Sequence, residues 1–169
     1  QFLDTPLQQR FNYSNLTFIR QIFEPNRMYS SIVARNLKNV QIPESTFAEL
    51  CINRIDLSNN QIEIISDKSF IDMVYLKELN LDRNQITSID GLLQGLDVNQ
   101  TLVLLDVSYN RIQQLTRQFP STFSSLKSLN FGFNRIRFIT DSVFEYLPKL
   151  EYLYLGGNQL TIISEFTFK

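Results

Sequence analysis

The sequence predicts a right-handed solenoid in which short parallel strands stack along one concave face. Three observations predict this fold: one spacing of apolar residues recurs, one asparagine recurs with it, and both return about every 24 residues. The stretch LKELNLDRNQI (76–86) shows the spacing, with apolar residues at positions 1, 4, 6 and 11 and asparagine at position 9. A short strand cannot bury its apolar side alone, so stacked copies are needed to build a continuous core.

Five copies of this spacing align on the asparagine. The asparagines fall at intervals of 24, 26, 24 and 24 residues, and an apolar residue follows each of them five positions later. A period of roughly 20–29 residues with this consensus is the signature of leucine-rich repeats. The copies lie within residues 52–62, 76–86, 101–112, 125–136 and 149–160, and their asparagines are Asn60, Asn84, Asn110, Asn134 and Asn158.

Each position in the copy has a physical role. Positions 4 and 6 alternate as on a strand, so their side chains point to one side and position 5 points to the other. The asparagine at position 9 marks a sharp turn, where its amide can satisfy exposed backbone groups and stacked asparagines would form a ladder. The fold class is therefore a leucine-rich-repeat solenoid, an α/β-type right-handed horseshoe. Its parallel β-sheet lines the concave face, and loops and short helical turns form the convex face.

The convex side is predicted to carry a second apolar spine. The copy after Asn84 has two extra residues, so Leu93 or Leu96 is expected to fill the spine there. The insertion is interpreted as a tolerated change of loop length or as a bend in the solenoid. The remaining spine residues are phenylalanines: Phe70, Phe119, Phe144 and Phe168.

The two ends depart from the repeat. Residues 1–27 do not fit it and are predicted to form an N-terminal cap, while residues 28–169 hold one degenerate and five clear repeats. The degenerate repeat keeps Asn36, 24 residues before Asn60. The chain stops at Lys169 inside a repeat, so either a parent protein continues or this apolar end packs on another chain, as in a homodimer or heterodimer.

Composition restricts the classes of function. The chain has 169 residues, no histidine and a net charge of −1, which gives no electrostatic reason to expect nucleic acid as a partner. The absence of histidine removes the commonest metal ligand and general base, and we expect neither a metal nor a cofactor. No apolar run approaches the roughly 18 residues of a membrane span, so no membrane insertion is expected.

An enzymatic alternative rests on two carboxylates. Asp56 and Asp106 share a column of the predicted sheet two strands apart, a separation that resembles that of inverting glycosidases. Nothing in the sequence would raise the pKa of one of them, and Cys51 has no histidine to activate it. We therefore predict no enzymatic activity and no catalytic residues.

The single cysteine and three glycosylation sequons bear on whether the protein is secreted. Cys51 is the single cysteine and is either a small apolar residue beside the core or the site of an intermolecular disulfide. Glycosylation sequons occur at Asn12, Asn15 and Asn99, all outside the strand pattern. A secreted, extracellular protein is expected, mainly because of the type of repeat.

Concave positions that the core does not require could serve recognition. The early rows are charged and of mixed sign, which is consistent with a solvated face carrying local ion pairs as well as with recognition. The later rows are aromatic and predict a patch that binds a protein or peptide, unless the rings merely pack against one another. The candidate residues are Arg54, Asp56, Glu78, Arg83 and Asp106 in the charged rows, and Tyr109, Phe133, Tyr152 and Tyr154 in the aromatic rows.

The stretches NQIEIISDKSF (60–70) and NRIRFITDSVF (134–144) resemble the typical 24-residue class of extracellular leucine-rich repeats. That class includes Toll-type receptor ectodomains and small proteoglycans. The passage NLKNVQIPESTF (36–47) is similar to insect leucine-rich immune proteins of the mosquito type. The resemblance implies a secreted recognition protein of innate immunity that binds other proteins. The alternatives are a fragment of a receptor or adhesion ectodomain and a structural repeat protein that self-assembles.

Overall fold

The protein is a leucine-rich-repeat solenoid, which confirms the fold class predicted from the sequence. The computed structural model describes residue 16, residue 23 and residues 27–35, 37, 41–96 and 101–168. Its concave face is a six-stranded parallel sheet with one strand from each repeat, in chain order. The strands are β1 (Met28–Val33), β3 (Cys51–Asp56), β5 (Glu78–Asn80), β6 (Leu104–Asp106), β8 (Ser128–Asn130) and β10 (Tyr152–Tyr154).

The sheet is held in register by the buried position-4 residue of each strand. Ile55, Leu79, Leu105 and Leu129 are aligned across neighbouring strands and are fully buried. The residues on either side of them point to the concave face, as the period of a strand requires. One apolar residue per strand therefore fixes which side chains face solvent across the whole sheet.

The first repeat is one residue shorter than the alignment on Asn36 predicts. Strand β1 pairs Ile32 with Ile55, which are 23 residues apart, whereas Asn36 and Asn60 are 24 apart. Asn36 itself lies outside the described residues. The Oδ1 atom of Asn60 accepts a hydrogen bond from the backbone N–H of Leu37 at 2.6 Å. The backbone of this shorter coil is therefore still hydrogen-bonded to the asparagine of the next repeat.

The convex side carries two short ladders separated by a helix. Strand β2 (Gln41–Ile42) pairs with β4 (Ile64–Ile65), and β7 (Gln114–Leu115) pairs with β9 (Phe138–Ile139). Between them, the repeat with the two extra residues forms the short helix α1 (Asp90–Gly95). A 3₁₀ helix, Ser121–Phe123, follows β7. The insertion thus replaces one strand of the convex ladder by a helical turn.

Helix α1 packs closely on the coil before it. A Cβ atom added at Gly91 would lie 2.0 Å from the carbonyl oxygen of Ile65, so only glycine allows this approach. Leu92, Leu93 and Leu96 are fully buried, which agrees with the expectation that leucines fill the spine at this repeat.

The convex spine is formed by stacked phenylalanine rings on either side of α1. Phe47 and Phe70 stack with ring centroids 5.0 Å apart. Beyond the helix, Phe119 stacks on Phe144 at 6.0 Å, and Phe144 stacks on Phe168 at 5.8 Å. These rings close the apolar core opposite the concave sheet. Leu16 and Phe23, from the predicted N-terminal cap, also belong to that core.

Candidate protein-binding surface

The five asparagines at position 9 form a ladder behind the edge of the sheet, in which four are buried and Asn158 is partly buried. Each side-chain amide donates to the position-6 carbonyl of its own repeat and of the preceding repeat, as Asn110 does to Val107 and Leu81 at 3.0 and 2.9 Å. The Oδ1 atom accepts from the backbone N–H of position 11 in the preceding repeat, as Asn110 does from Ile86 at 2.9 Å. The same pattern recurs at Asn84, Asn134 and Asn158. Asn60 makes the same two donor bonds, but its Oδ1 atom accepts from Leu37, the residue directly after Asn36.

Position 5 of the repeat also has a structural role. In four repeats its Oδ1 atom accepts a hydrogen bond from the backbone N–H two residues on, for example from Ser58 to Asp56 at 3.0 Å. Such a bond closes the turn that follows the strand. The same bond is made by Asn80 at 2.9 Å, by Asp106 at 2.9 Å and by Asn130 at 2.9 Å.

Position 5 is therefore used by the turns, although the apolar core does not require it. The second carboxylate oxygen of Asp56 pairs with Arg35, and that of Asp106 accepts a hydrogen bond from Asn130 at 3.1 Å. Asp56 and Asp106, the two carboxylates considered for catalysis in the sequence analysis, therefore each accept hydrogen bonds through both oxygens. In each, one of these bonds closes the turn after the strand.

The electrostatics of two aspartates in the charged rows differ in sign. Burial alone would raise the pKa of Asp56, but the hydrogen bonds from Ser58 and Arg35 together outweigh it and lower this pKa. Burial raises the pKa of Asp82, and the nearby charges of Asp106 and Asp56 raise it further. The charged part of the concave face therefore contains one carboxylate whose ionised form is stabilised, Asp56, and one whose ionised form is destabilised, Asp82.

The remaining charged candidates form ion pairs. Arg54 lies 3.2 Å from Glu78 on the neighbouring strand, and both side chains are about half exposed. Because both groups of this pair are in water, the pair contributes little to stability. Arg83 lies 3.3 Å from Asp82, whose side chain is only 20% exposed.

Position 8 has a left-handed backbone in all five clear repeats. The φ angle is between 51° and 56° at Asn59, Arg83, Tyr109 and Phe133, and 71° at Gly157. Asparagine and glycine adopt this region readily, whereas larger residues do so at a cost. The residue types at position 8 do not predict this conformation, because only Asn59 and Gly157, in the first and last clear repeats, are residues that favour it.

The three middle side chains of position 8 form one stack. The guanidinium of Arg83 lies 4.4 Å from the centre of the Tyr109 ring. Tyr109 and Phe133 stack with centroids 4.5 Å apart and planes inclined by 10°. A Cβ atom added at Gly157 would lie 2.7 Å from the Phe133 ring, so the ring covers the backbone of that glycine. The two rings thus pack against each other, as one of the two sequence interpretations expects.

Tyr152 and Tyr154 are placed differently from this stack. They occupy positions 3 and 5 of β10, and their exposed fractions are 55% and 53%. Tyr154 stands where the other four repeats have the aspartate or asparagine that closes the turn. The fifth repeat therefore lacks this hydrogen-bonding side chain and presents a phenol on the concave face instead.

The other candidate residues lie away from this surface or outside the described residues. Cys51 is half-buried at the start of β3, with a free thiol. The sequons at Asn12, Asn15 and Asn99 lie outside the described residues. Among the residues that the structure describes, no cluster of cysteine or carboxylate side chains is arranged to hold a metal ion. That part of the chain also contains no helix long and apolar enough to cross a membrane.

The fold and the asparagine ladder define a leucine-rich-repeat protein, and the comparison with known families agrees. Residues 51–104 and 100–160 match the Leucine rich repeat family, so the chain belongs to it. The family is typically non-catalytic. Leucine-rich repeat-containing protein 3 of Danio rerio is 32% identical over 88 residues, which are 50% of this chain and 30% of that protein. The chain thus spans less than a third of this relative.

Solved structures with the same architecture include receptors and a bacterial protein. A chain of the TLR13–ssRNA13 complex aligns with a TM-score of 0.69 and 26% identity, over 82% of this chain and 21% of that one. An internalin of Listeria monocytogenes aligns with a TM-score of 0.56 and 26% identity, over 78% and 35%. A chain of the octameric complex of latrophilin 3, Unc5D and the leucine-rich-repeat protein FLRT2 aligns with a TM-score of 0.62 and 27% identity, over 78% and 39%.

Proposed function

We propose that this chain is a non-catalytic module that binds another protein through the part of its concave face that carries Tyr152 and Tyr154. The observation that carries this proposal is the placement of Tyr152 and Tyr154 at concave positions that the core does not need. Tyrosine combines a large apolar area with a polar tip and is enriched in protein interfaces. The loss of the turn-closing side chain at Tyr154 supports a role in recognition, because a broken local rule without a structural gain is typical of functional positions.

The biological setting is proposed to be recognition in innate immunity by a secreted protein. Its support is the resemblance of the repeats to extracellular immune proteins and the alignment with a chain of the TLR13 complex. The alternative is a segment of a receptor or adhesion ectodomain. That alternative is favoured by the alignment with the FLRT2 assembly and by the fact that this chain spans only 39% of the neighbour found there.

The test compares capture of partners by the wild-type chain and by a double variant, Tyr152→Ala with Tyr154→Ala. Both proteins are immobilised and exposed to extracellular fluid, and a protein retained by the wild type is purified and titrated against each. We expect the double variant to lose at least about thirtyfold in affinity, because the loss of even one interface anchor costs about 2 kcal/mol or more. Its circular dichroism should be unchanged.

A matched control removes a similar exposed apolar area from the convex side. Ile64 and Phe138 have exposed fractions of 52% and 55%, and Ile64→Ala with Phe138→Ala should bind as the wild type does. Equal affinity of the tyrosine variant and the wild type would reject the concave aromatic surface as the binding site.

A further inference from the structure

The segment that leaves each concave strand carries a second surface, next to Tyr152 and Tyr154 of the concave face. Along positions 8 to 12, buried and exposed residues alternate, because the asparagine at position 9 and the apolar residue at position 11 point inward. The side chains at positions 8, 10 and 12 therefore face solvent together. In the second to fourth clear repeats we call this surface the arginine flank; its charged and aromatic members are Arg83, Tyr109, Arg111, Phe133, Arg135 and Arg137.

The charge of the arginine flank is of one sign. Its nine positions hold four arginines and no aspartate or glutamate, although the whole chain has a net charge of −1. Arg83 contacts Asp82 beside the flank at 3.3 Å, and Arg137 donates a hydrogen bond to Gln159 at 2.8 Å. In the described part of the chain, Arg111 and Arg135 are exposed and form no ion pair. Two guanidinium groups are thus available to an anionic group.

The aromatic stack reinforces this preference. Arg83 and Phe133 cover the two faces of the Tyr109 ring, and the second face of Phe133 lies over Gly157. What the rings present to solvent is mainly their edges, since Tyr109 is 41% and Phe133 56% exposed. The edge of an aromatic ring is electropositive, whereas its face is negative. The flank therefore presents positive charge and positive ring edges side by side.

The arrangement is kept at an energetic cost. Arg83, Tyr109 and Phe133 adopt φ angles of 53°, 51° and 53°. A left-handed backbone costs a bulky residue about 1–2 kcal/mol, and Asn59 and Gly157 show that the same turn forms with residues suited to it. Strain that a better-suited residue would remove is typical of functional positions.

We infer that the arginine flank docks an acidic, extended segment of the partner protein. The inference rests on the proposed function and names the chemistry of the partner. Arg111 and Arg135 both occupy position 10, so their backbones lie about 4.8 Å apart on neighbouring repeats. Alternate residues of an extended segment are about 7 Å apart, which two long arginine side chains can reach. Carboxylates on alternate residues would therefore meet the two guanidinium groups, which bind carboxylates in a fork geometry.

A polynucleotide fits this surface less well than an acidic peptide. Sequence-tolerant binding of single strands needs open aromatic faces on which bases stack, and both faces of Tyr109 are covered.

The test measures binding of a fluorescein-labelled peptide of alternating aspartate and leucine by fluorescence anisotropy at low ionic strength. The neutral match is the same peptide with asparagine in place of aspartate. The diagnostic variant is Arg111→Gln with Arg135→Gln. The matched control, Lys77→Gln with Lys149→Gln, changes the net charge equally at exposed lysines outside the flank.

We expect the wild type to bind the acidic peptide and not the neutral one, with a loss of about tenfold or more in the arginine variant and less than about twofold in the lysine control. Equal losses in both variants would overturn the inference, because only net charge would then matter. Absence of binding to the acidic peptide would also overturn it, as would tighter binding of single-stranded polyuridine with the same dependence on the arginines.

The tyrosine variant separates this inference from the proposed function. If the recovered partner needs Tyr152 and Tyr154 but the arginine variant binds both the partner and the acidic peptide normally, the arginine flank is wrong and the concave surface stands. If the arginine variant loses the partner while the tyrosine variant keeps it, the concave site fails and the flank carries recognition.

Discussion

Two neighbouring columns of the solenoid, positions 8 and 9 of the repeat, follow opposite rules. Position 9 is asparagine in all five clear repeats and is largely buried, with both ends of the amide hydrogen-bonded to backbone. Position 8 has the same left-handed backbone in all five repeats but five different side chains: Asn59, Arg83, Tyr109, Phe133 and Gly157.

The difference shows where the chain has freedom. At position 9 the backbone needs two donors and an acceptor from one short side chain, and asparagine supplies them. At position 8 the backbone needs only a tolerable φ angle, since its side chain leaves toward solvent. The chain therefore uses position 9 to build every coil alike and position 8 to make the coils different, and differences between coils are what a partner can recognise.

The largest expected effect comes from breaking the ladder. Asn110→Ala leaves the Ile86 N–H buried without a hydrogen bond. It also removes one of the two donors to each of the Leu81 and Val107 carbonyls, which keep only Asn84 and Asn134. We expect a loss of about 1–3 kcal/mol in the free energy of unfolding, measured by urea denaturation. Gln113→Ala, at an exposed amide, is the control and should change stability by less than about 0.5 kcal/mol. An unchanged unfolding midpoint for Asn110→Ala would show that the ladder is dispensable.

A pair of adjacent glycines tests whether the left-handed backbone at position 8 is a real constraint. Gly157→Ala places a Cβ atom at a φ of 71° and against the ring of Phe133, so we expect a loss of about 1–2 kcal/mol by thermal denaturation. Gly156→Ala meets no atom within 4 Å and should be nearly neutral. Similar melting temperatures for the two variants would contradict the assigned conformation.

A third comparison uses two aspartates whose pKa values are shifted in opposite directions. The pKa of Asp82 is raised, so its ionised form destabilises the fold, and stability returns as the pH falls through that raised value. Asp82→Asn should therefore raise the melting temperature at pH 7, and the gain should vanish below about pH 4.

Asp56 should show the opposite sign. Its pKa is lowered, so its contribution is present above the ordinary pKa of about 3.9 and is lost as the pH falls through the lowered value. Asp56→Asn should destabilise the chain at pH 7 and have little effect in strong acid. Melting curves of both variants across pH test the two predictions. A change of melting temperature in the same direction for both variants at pH 7 would contradict the opposite pKa shifts of Asp82 and Asp56.

The smallest expected effect is on the stability of the stack itself. In Tyr109→Asn with Phe133→Asn, the loss of ring stacking, about 0.5–1.5 kcal/mol, is offset by relief of the left-handed strain. We expect the unfolding free energy to stay within about 1 kcal/mol of the wild type, as urea denaturation can show. A loss as large as that of Asn110→Ala would mean that the stack is part of the scaffold.

The sequence predicts the ladder and the strands well, because their residues are chosen by needs that recur in every coil. The position-5 turn could also have been predicted, since Asp56, Asn80, Asp106 and Asn130 repeat an aspartate or asparagine two residues before the same backbone N–H. The asparagine and aspartate side chains of such turns have a known preference for that bond.

Other features could not be predicted, because no repeated residue marks them. Arg83, Tyr109 and Phe133 disfavour the backbone they adopt, so their own propensities conceal the turn and the stack. Helix α1 arises from two inserted residues whose position within the coil is not fixed by the spacing. The stack also depends on Gly157 having no Cβ atom, because the ring of Phe133 occupies that space. This contact exists only when the coils are stacked.

Amide hydrogen exchange at Ile86 tests the division between positions 8 and 9 most directly. This N–H donates to the Oδ1 atom of Asn110, whereas the side chain of Tyr109 is directed to solvent. We predict that Ile86 is strongly protected in the wild type and in Tyr109→Asn, and that the protection is lost in Asn110→Ala. Protection that survives in Asn110→Ala, or that is lost in Tyr109→Asn, would contradict the conclusion that position 9 builds the coil and position 8 is free to vary.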